Sequence, residues 1–264
     1  MCRFAVYFGH KKILLNEVLS KPKNSLIKQS YEAREGIHGI NADGFGLAWY
    51  SLDISPDPGI FKSTHPAWNN NNLIHLSQKI KSSCFLAHVR ASTVGDVNQN
   101  NCHPFSFEKY SMVHNGTIRN FEKYKKRLVD FIEEDLFLKI KGDTDSECFF
   151  FLIMHFLRQK NNLLSSVKKS IQWVANIQEN CDGFSRINIV ITNGNELMAT
   201  RFVSKGEKSL SLKYCSKLKE HNESASIILS SESLTDDDKL WQELPENHYI
   251  YINNDHMKCV IEPL

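Results

Sequence analysis

The residues with which this sequence could do chemistry are Cys2, Arg90, the pair Asn115-Gly116 and Asp145. Removal of Met1 is expected, because the cysteine that follows is small. The product would carry a free α-amine and a thiol on one residue. An α-amine has a pKa of about 7.7–8.0 and a free thiol about 8.5, so the amine can act as base toward its own thiol. One residue then supplies nucleophile and base, the N-terminal counterpart of the Cys–His pair. Taken alone, a cysteine at this place is more often just a small buried residue at a strand start.

His114-Asn115-Gly116 follows an apolar strand. Asn-Gly is a strong signal for a tight hairpin turn, since both residues tolerate positive φ. The same two residues can also aim a side-chain N–H and a backbone N–H at one point, as an oxyanion hole does. Arg90 closes the strand His88-Val89-Arg90, with hydroxyls at Ser92 and Thr93 just beyond. A guanidinium there suits bidentate capture of a carboxylate, although an arginine at a strand end also serves simply as a solvated charge. His88 and His114 alternate with apolar neighbours and read as satisfied core histidines.

Gly142-Asp143-Thr144-Asp145-Ser146-Glu147 precedes a strongly apolar helix. Thr144 and Glu147 fit a capping box, which accounts for them but not for Asp145. Facing a cleft, that carboxylate could hold a substrate ammonium. The glycines of Asn41-Ala42-Asp43-Gly44-Phe45-Gly46 suggest a turn with close backbone approach. Cys102-His103 could be offered as a catalytic dyad, but adjacent residues of extended chain rarely point together, so packing is the better reading. Together these residues describe a site for the amino-acid end of glutamine or another γ-glutamyl compound, with the γ-carbonyl under attack.

The chain that must position them has 264 residues, of which 41% are hydrophobic and 23% charged, so a sizeable core needs no disulfide or metal. A formal charge of +2 gives no basic excess for nucleic acid. The seven cysteines form no C-x-x-C pair, and no H-E-x-x-H, P-loop or G-x-G-x-x-G motif is present. No apolar run reaches membrane length and the first residues are too strand-like for a secretory signal, so a cytoplasmic protein is expected.

Strand-like runs occur at 2–8, 45–51, 85–90 and 111–114, then at 187–192, 197–203, 209–214, 227–230, 248–252 and 258–261. Helical periodicity marks 24–36, 73–81, 121–134, 145–159 and 164–180, with a polar loop at 69–72. The helix from Asp145 is apolar nearly all round, so it should be covered on more than one side. Many strands with a few covered helices indicate an α+β layered sandwich. No composition break marks a domain boundary, and one domain over residues 2–264 is expected.

The ordered set Met1-Cys2, Asn41–Gly46, Ala87-His88-Val89-Arg90, His103-Pro104-Phe105, His114-Asn115-Gly116 and Asp143–Glu147 resembles the class II glutamine amidotransferases. The resemblance is closest to stand-alone members, such as the γ-glutamyl amidohydrolase of ergothioneine synthesis and the glutathione-degrading amidotransferase-like subunit. It reaches the last third, where Ser231-Glu232-Ser233-Leu234 followed by Trp241 and Pro245 resembles a Ser-Glu-Pro-Leu…Trp segment.

The resemblance implies an N-terminal-nucleophile hydrolase with a four-layer αββα fold of two antiparallel sheets between helices. It implies Cys2 as nucleophile, Asn115 and Gly116 as oxyanion hole, Arg90 and Thr93 on the substrate carboxylate, and Asp145 on the α-ammonium. No cofactor and no metal are expected. Synthetase-linked members carry Trp and His near the arginine, where this chain has Ala91 and Val94, and Ser233 stands in place of a proline. The expected activity is hydrolysis of a γ-glutamyl amide through a thioester on Cys2, with an ammonia-accepting or peptidase subunit as partner. The alternatives are a non-catalytic subunit that binds a γ-glutamyl ligand and a cysteine peptidase. A peptidase has no need for both Arg90 and Asp145.

Overall fold

The computed structural model describes residues 2–35, 39–92, 95–179, 183–204, 206–216, 225–237, 239–254 and 257–264. Thirteen strands are formed among them. They are β1 (Arg3–Leu14), β2 (Phe45–Trp49), β3 (Gly59–Ser63), β4 (Lys81–Val89), β5 (Phe105–Phe107), β6 (Tyr110–Ile118), β7 (Ser185–Thr192), β8 (Glu196–Val203), β9 (Lys213–Ser216), β10 (Ser226–Ser230), β11 (Gln242–Glu243), β12 (His248–Asn253) and β13 (Lys258–Pro263). The helices are α1 (Asn16–Leu19), α2 (Leu26–Gln29), α3 (Asn71–Ser77), α4 (Phe121–Phe131), α5 (Glu134–Phe137), α6 (Asp145–Arg158) and α7 (Leu163–Gln178).

Side chains alternate across a strand, so β1 sends Phe4, Val6 and Phe8 to one face and Ala5 and Tyr7 to the other. Both faces are buried, which requires cover on each. β1 lies inside a seven-stranded antiparallel sheet, in the order β11-β9-β10-β1-β4-β2-β3. The second sheet has the order β13-β12-β8-β7-β6-β5 and is also antiparallel. Phe4, Val6, Phe8, Leu86 and Leu229 of the first sheet meet Val113, Val190, Ala199 and Ile250 of the second in a buried apolar central layer. Outside the first sheet, Ala5, Tyr7, Leu47 and Phe85 pack on Leu15, Val18, Leu26 and Leu73 from α1–α3 and their joins. Outside the second, Met112, Ile187, Ile189 and Met198 pack on Phe149, Phe150, Ile153, Val167 and Ile171 of α6 and α7. The expected α+β sandwich, helix layer on sheet on sheet on helix layer, is therefore the observed architecture. No helix among the described residues is long and apolar enough to cross a membrane.

Several local expectations need correction. Asn115-Gly116 does not turn the chain. Strand β6 runs through it, with Asn115 opposite Asn188 and Gly116 opposite Ile187. Helix was expected across 24–36 but covers only Leu26–Gln29; beyond it the Ser30 hydroxyl bonds back to Ile27 O, and the Arg34 and Glu35 N–H groups donate to a distant carboxylate. Of the run at 209–214, only the end joins β9. The Asn69–Asn72 run contains the start of α3, whose Leu73 N–H is capped by Asn70 Oδ1 at 2.9 Å. β1 continues six residues past Phe8 after a register shift, hidden in the sequence by the polar stretch Gly9–Lys12.

Candidate active site

The register of the first sheet sets two of the predicted residues side by side. Arg3 pairs with Val89, so the residues flanking that pair, Cys2 and Arg90, lie at the same sheet end. The half-buried Cys2 is fixed there by Ala91. Its Sγ lies 3.4 Å from Ala91 O and accepts the Ala91 N–H at 3.4 Å. Burial pushes the thiol pKa up, while the Ala91 N–H and the positive charges of Arg90 and Arg3 pull it back.

Arg90 is buried and its guanidinium is oriented by the loop that follows β4. It donates to Asp96 O at 3.0 Å, Ser92 Oγ at 3.1 Å and Gly95 O at 3.3 Å. That loop is itself held by Asp43, whose carboxylate accepts the Ser92 N–H at 2.7 Å. The Asn41–Gly46 segment earns its glycines. Gly44 has φ of +110°, and a Cβ there would meet Cys102 Sγ at 2.6 Å; one on Gly46 would meet His103 O at 2.0 Å. Thr93 lies outside the described residues.

Asn115 is buried, and its Nδ2 donates to Ser231 Oγ at 3.2 Å. Gly116 is required by close approach, since a Cβ would stand 1.8 Å from Arg186 O. Asp145 opens α6, 5% exposed, and its Oδ2 accepts the Ile118 N–H at 2.7 Å while Oδ1 accepts from Ser146 Oγ at 2.9 Å. The capping box forms by half. Thr144 Oγ1 accepts the Glu147 N–H at 3.2 Å, but the Glu147 carboxylate reaches past Thr144 to the N–H groups of Lys141 and Gly142.

Behind these residues lie three buried histidines. His114 has a polar neighbour at each ring nitrogen, with Nδ1 2.8 Å from Ser146 Oγ and Nε2 3.1 Å from Arg186 O. His88 is satisfied only in part. Its Nε2 bonds to His114 O, whereas its Nδ1 lacks a hydrogen-bond partner among the described residues. Burial holds the His88 pKa down to about 3. His103 stacks on His88 with ring centroids 4.2 Å apart, and burial keeps its pKa well below the ordinary value. Cys102 Sγ donates to Ser63 O and Asn98 O, in keeping with packing rather than a dyad with His103. Among the described residues no group of three or more His, Cys, Asp or Glu is placed to hold a metal.

Arg3, Ser231 and Glu232 carry no role that the sequence alone points to. Arg3 Nε donates to Glu232 Oε1 at 2.7 Å with both side chains almost wholly buried, and Arg3 Nη1 donates to Cys2 O at 2.9 Å. Removing one partner of such a pair typically costs about 3–5 kcal/mol, because the other charge is left in the interior. The available signal was the Ser-Glu pair directly after an apolar strand, where an acidic residue is otherwise expected in solvent.

Residues 21–263 match the family described as class II glutamine amidotransferases. The chain belongs to the class II glutamine amidotransferases. A relative in this group is the probable glutamine amidotransferase DUG3 of Saccharomyces cerevisiae, 33% identical over 96% of this chain and 82% of the relative. Another is the gamma-glutamyl-hercynylcysteine sulfoxide hydrolase of Mycolicibacterium smegmatis, 26% identical over the whole of both chains. Among solved structures, a glutamine aminotransferase class-II domain protein from Silicibacter pomeroyi matches all of this chain and 99% of its own, with TM-score 0.73 and 24% identity. That likeness supports the amidotransferase fold from end to end.

Proposed function

We propose that the protein hydrolyses a γ-glutamyl amide through a thioester on Cys2, and that residues 2–264 act as one domain after Met1 is removed. What supports the reading is a set of links in register and hydrogen bonding that joins the elements carrying the four residues. Cys2 and Arg90 share one sheet end, Asn115 is tied through Ser231 to β1, and Asp145 is tied to the end of the same strand that carries Asn115.

In this account the Cys2 α-amine takes the thiol proton and Sγ attacks the γ-carbonyl carbon. The Asn115 side-chain N–H and the Gly116 backbone N–H stabilise the oxyanion. Collapse breaks the C–N bond, and the proton held by the α-amine goes to the departing nitrogen. Water, deprotonated by the same amine, then attacks the thioester and releases glutamate, and the proton returns to sulfur. Arg90, with Thr93, takes the substrate α-carboxylate and Asp145 its α-ammonium. No cofactor enters this reaction.

The leaving group is ammonia if the substrate is glutamine, or an amino acid, peptide or thiol compound if it is a larger γ-glutamyl conjugate. The hydrolase named for the 26%-identical relative acts on a γ-glutamyl conjugate, which favours the second class. A cytoplasmic setting and a partner that accepts ammonia or processes the released peptide belong to the same proposal. The test is glutamate release from a panel of γ-glutamyl compounds by protein whose intact mass shows Met1 removed. Release from at least one is expected. Ligand-induced stabilisation without release, unchanged in Cys2→Ala, would instead identify a binding subunit.

A further inference from the structure

We propose that Ser231 and Glu232 are positioning residues that set Cys2 against Asn115, with Glu232 clamping the Arg3 side chain beside the nucleophile. The proposal rests on the reading of Cys2 as nucleophile and Asn115 as oxyanion donor. It begins where the chain leaves the first sheet. β10 pairs with β1 as far as Ser230 opposite Ala5. At the next step the Ser231 N–H still donates to Phe4 O at 3.1 Å, but the returning Phe4 N–H goes to the Ser231 hydroxyl at 3.1 Å. The same hydroxyl accepts from Asn115 Nδ2 at 3.2 Å.

A carboxamide has two N–H bonds, and Ser231 engages its nitrogen. With the amide nitrogen turned to the hydroxyl, that contact holds the Asn115 side chain beside β1 and leaves its second N–H to serve the oxyanion. A flipped amide would present an acceptor to a developing negative charge. Because Phe4 lies two residues from Cys2, one hydroxyl fixes both the nucleophile's strand and the oxyanion donor.

Glu232 continues the arrangement from the next position, at 1% exposure. Its carboxylate takes Arg3 Nε at 2.7 Å, the backbone N–H groups of Arg34 and Glu35 at 3.0 Å each, and Asn24 Nδ2 at 3.3 Å. Arg3 passes the constraint to Cys2 O. Asp236, four residues on, pairs with the Arg34 guanidinium at 2.9 Å and with Lys23. One short segment thus ties the strand that carries Cys2 to the chain leading into the Asn41–Gly46 turn. The buried carboxylate is satisfied by donors from three separate stretches of chain, at Arg3, Asn24 and Arg34-Glu35.

Two measurements test the assignment. In a kinetic cycle, Ser231→Ala should lower kcat roughly tenfold with KM within about twofold, and Asn115→Ala should lower kcat about 10²–10³-fold. The part of the Ser231 effect that passes through Asn115 has nothing to act on once Asn115 is gone, so the double variant should be slower than Asn115→Ala by clearly less than the Ser231→Ala factor. Losses that multiply in the double variant would overturn the positioning role. Independently of turnover, Glu232→Gln should release the Arg3 segment and raise the rate at which iodoacetamide alkylates Cys2 several-fold at fixed pH, followed by peptide mass. An unchanged rate would overturn the clamp. Wild-type protein that releases no glutamate would contradict the hydrolase reading instead, and the alkylation arm would still decide the clamp.

Discussion

Asp145 Oδ2 accepts the backbone N–H of Ile118 at 2.7 Å, so the carboxylate that opens α6 also fixes the end of the strand carrying Asn115 and Gly116. A single group is thereby asked to hold a strand and, in the proposed reaction, a substrate ammonium. Ser146, which also lies 2.8 Å from His114 Nδ1, donates to its other oxygen, so the carboxylate's orientation is set from two directions.

Two substitutions separate these duties. Asp145→Asn keeps an oxygen for the Ile118 N–H but loses the charge. KM for the γ-glutamyl substrate should rise roughly 10–100-fold while the unfolding midpoint moves little. Asp145→Ala removes both, and urea unfolding should show a further loss of about 1–3 kcal/mol from the stranded N–H. Equal KM values for Asp145→Asn and the wild type would contradict the ammonium role.

Gly116 tests the close approach of β6 and β7. A methyl group there would lie 1.8 Å from Arg186 O, a backbone atom that cannot move without opening the ladder. Gly116→Ala should therefore cost at least about 1–3 kcal/mol in denaturant unfolding and abolish turnover. A variant with wild-type stability would show that the strands can separate at this point.

Thiol reactivity should follow the charges around Cys2. Burial raises its pKa, and Arg90 and Arg3 oppose that rise. Arg90→Gln removes one opposing charge, so the inflection in the pH profile of Cys2 alkylation should move to higher pH. An inflection that stays in place or moves to lower pH would contradict the electrostatic coupling.

Acid should weaken the fold through the histidines beneath the site. Burial depresses the His88 pKa from the ordinary 6.5 to about 3, so between these values the unfolded chain binds the proton that the folded chain refuses. The stability this neutral ring supports is present above about pH 6.5 and is lost as pH falls toward 3. His103 shifts in the same direction. The unfolding free energy from urea titrations should fall between about pH 6.5 and pH 5, by on the order of 1 kcal/mol per pH unit for each such ring. A flat profile would show that these rings already carry a proton or escape burial.

The sandwich was legible because its strands are short apolar runs and α6 is apolar on every face, and both patterns are local. Cys2, Arg90, Asn115 and Asp145 stand out in the sequence only as residue types that would suit one ligand. The Asn-Gly turn was misread because a local signal competes with a ladder to Arg186, Ile187 and Asn188, some seventy residues away in sequence, and the ladder prevails. Helix beyond Gln29 was overestimated for the same reason, since the Arg34 and Glu35 N–H groups are taken by a carboxylate about two hundred residues on. Arg3 and Glu232 carry no short-range mark of their partnership, and only the folded chain brings them to 2.7 Å.

The most direct test of the central claim compares wild-type protein lacking Met1 with Cys2→Ala in glutamate release from γ-glutamyl amides and peptides. The account predicts release by the wild type from at least one compound, none above background by Cys2→Ala, and retained binding of that compound by the variant. Glutamate release by Cys2→Ala at the wild-type rate, or no release by correctly processed wild type from any compound, would contradict it.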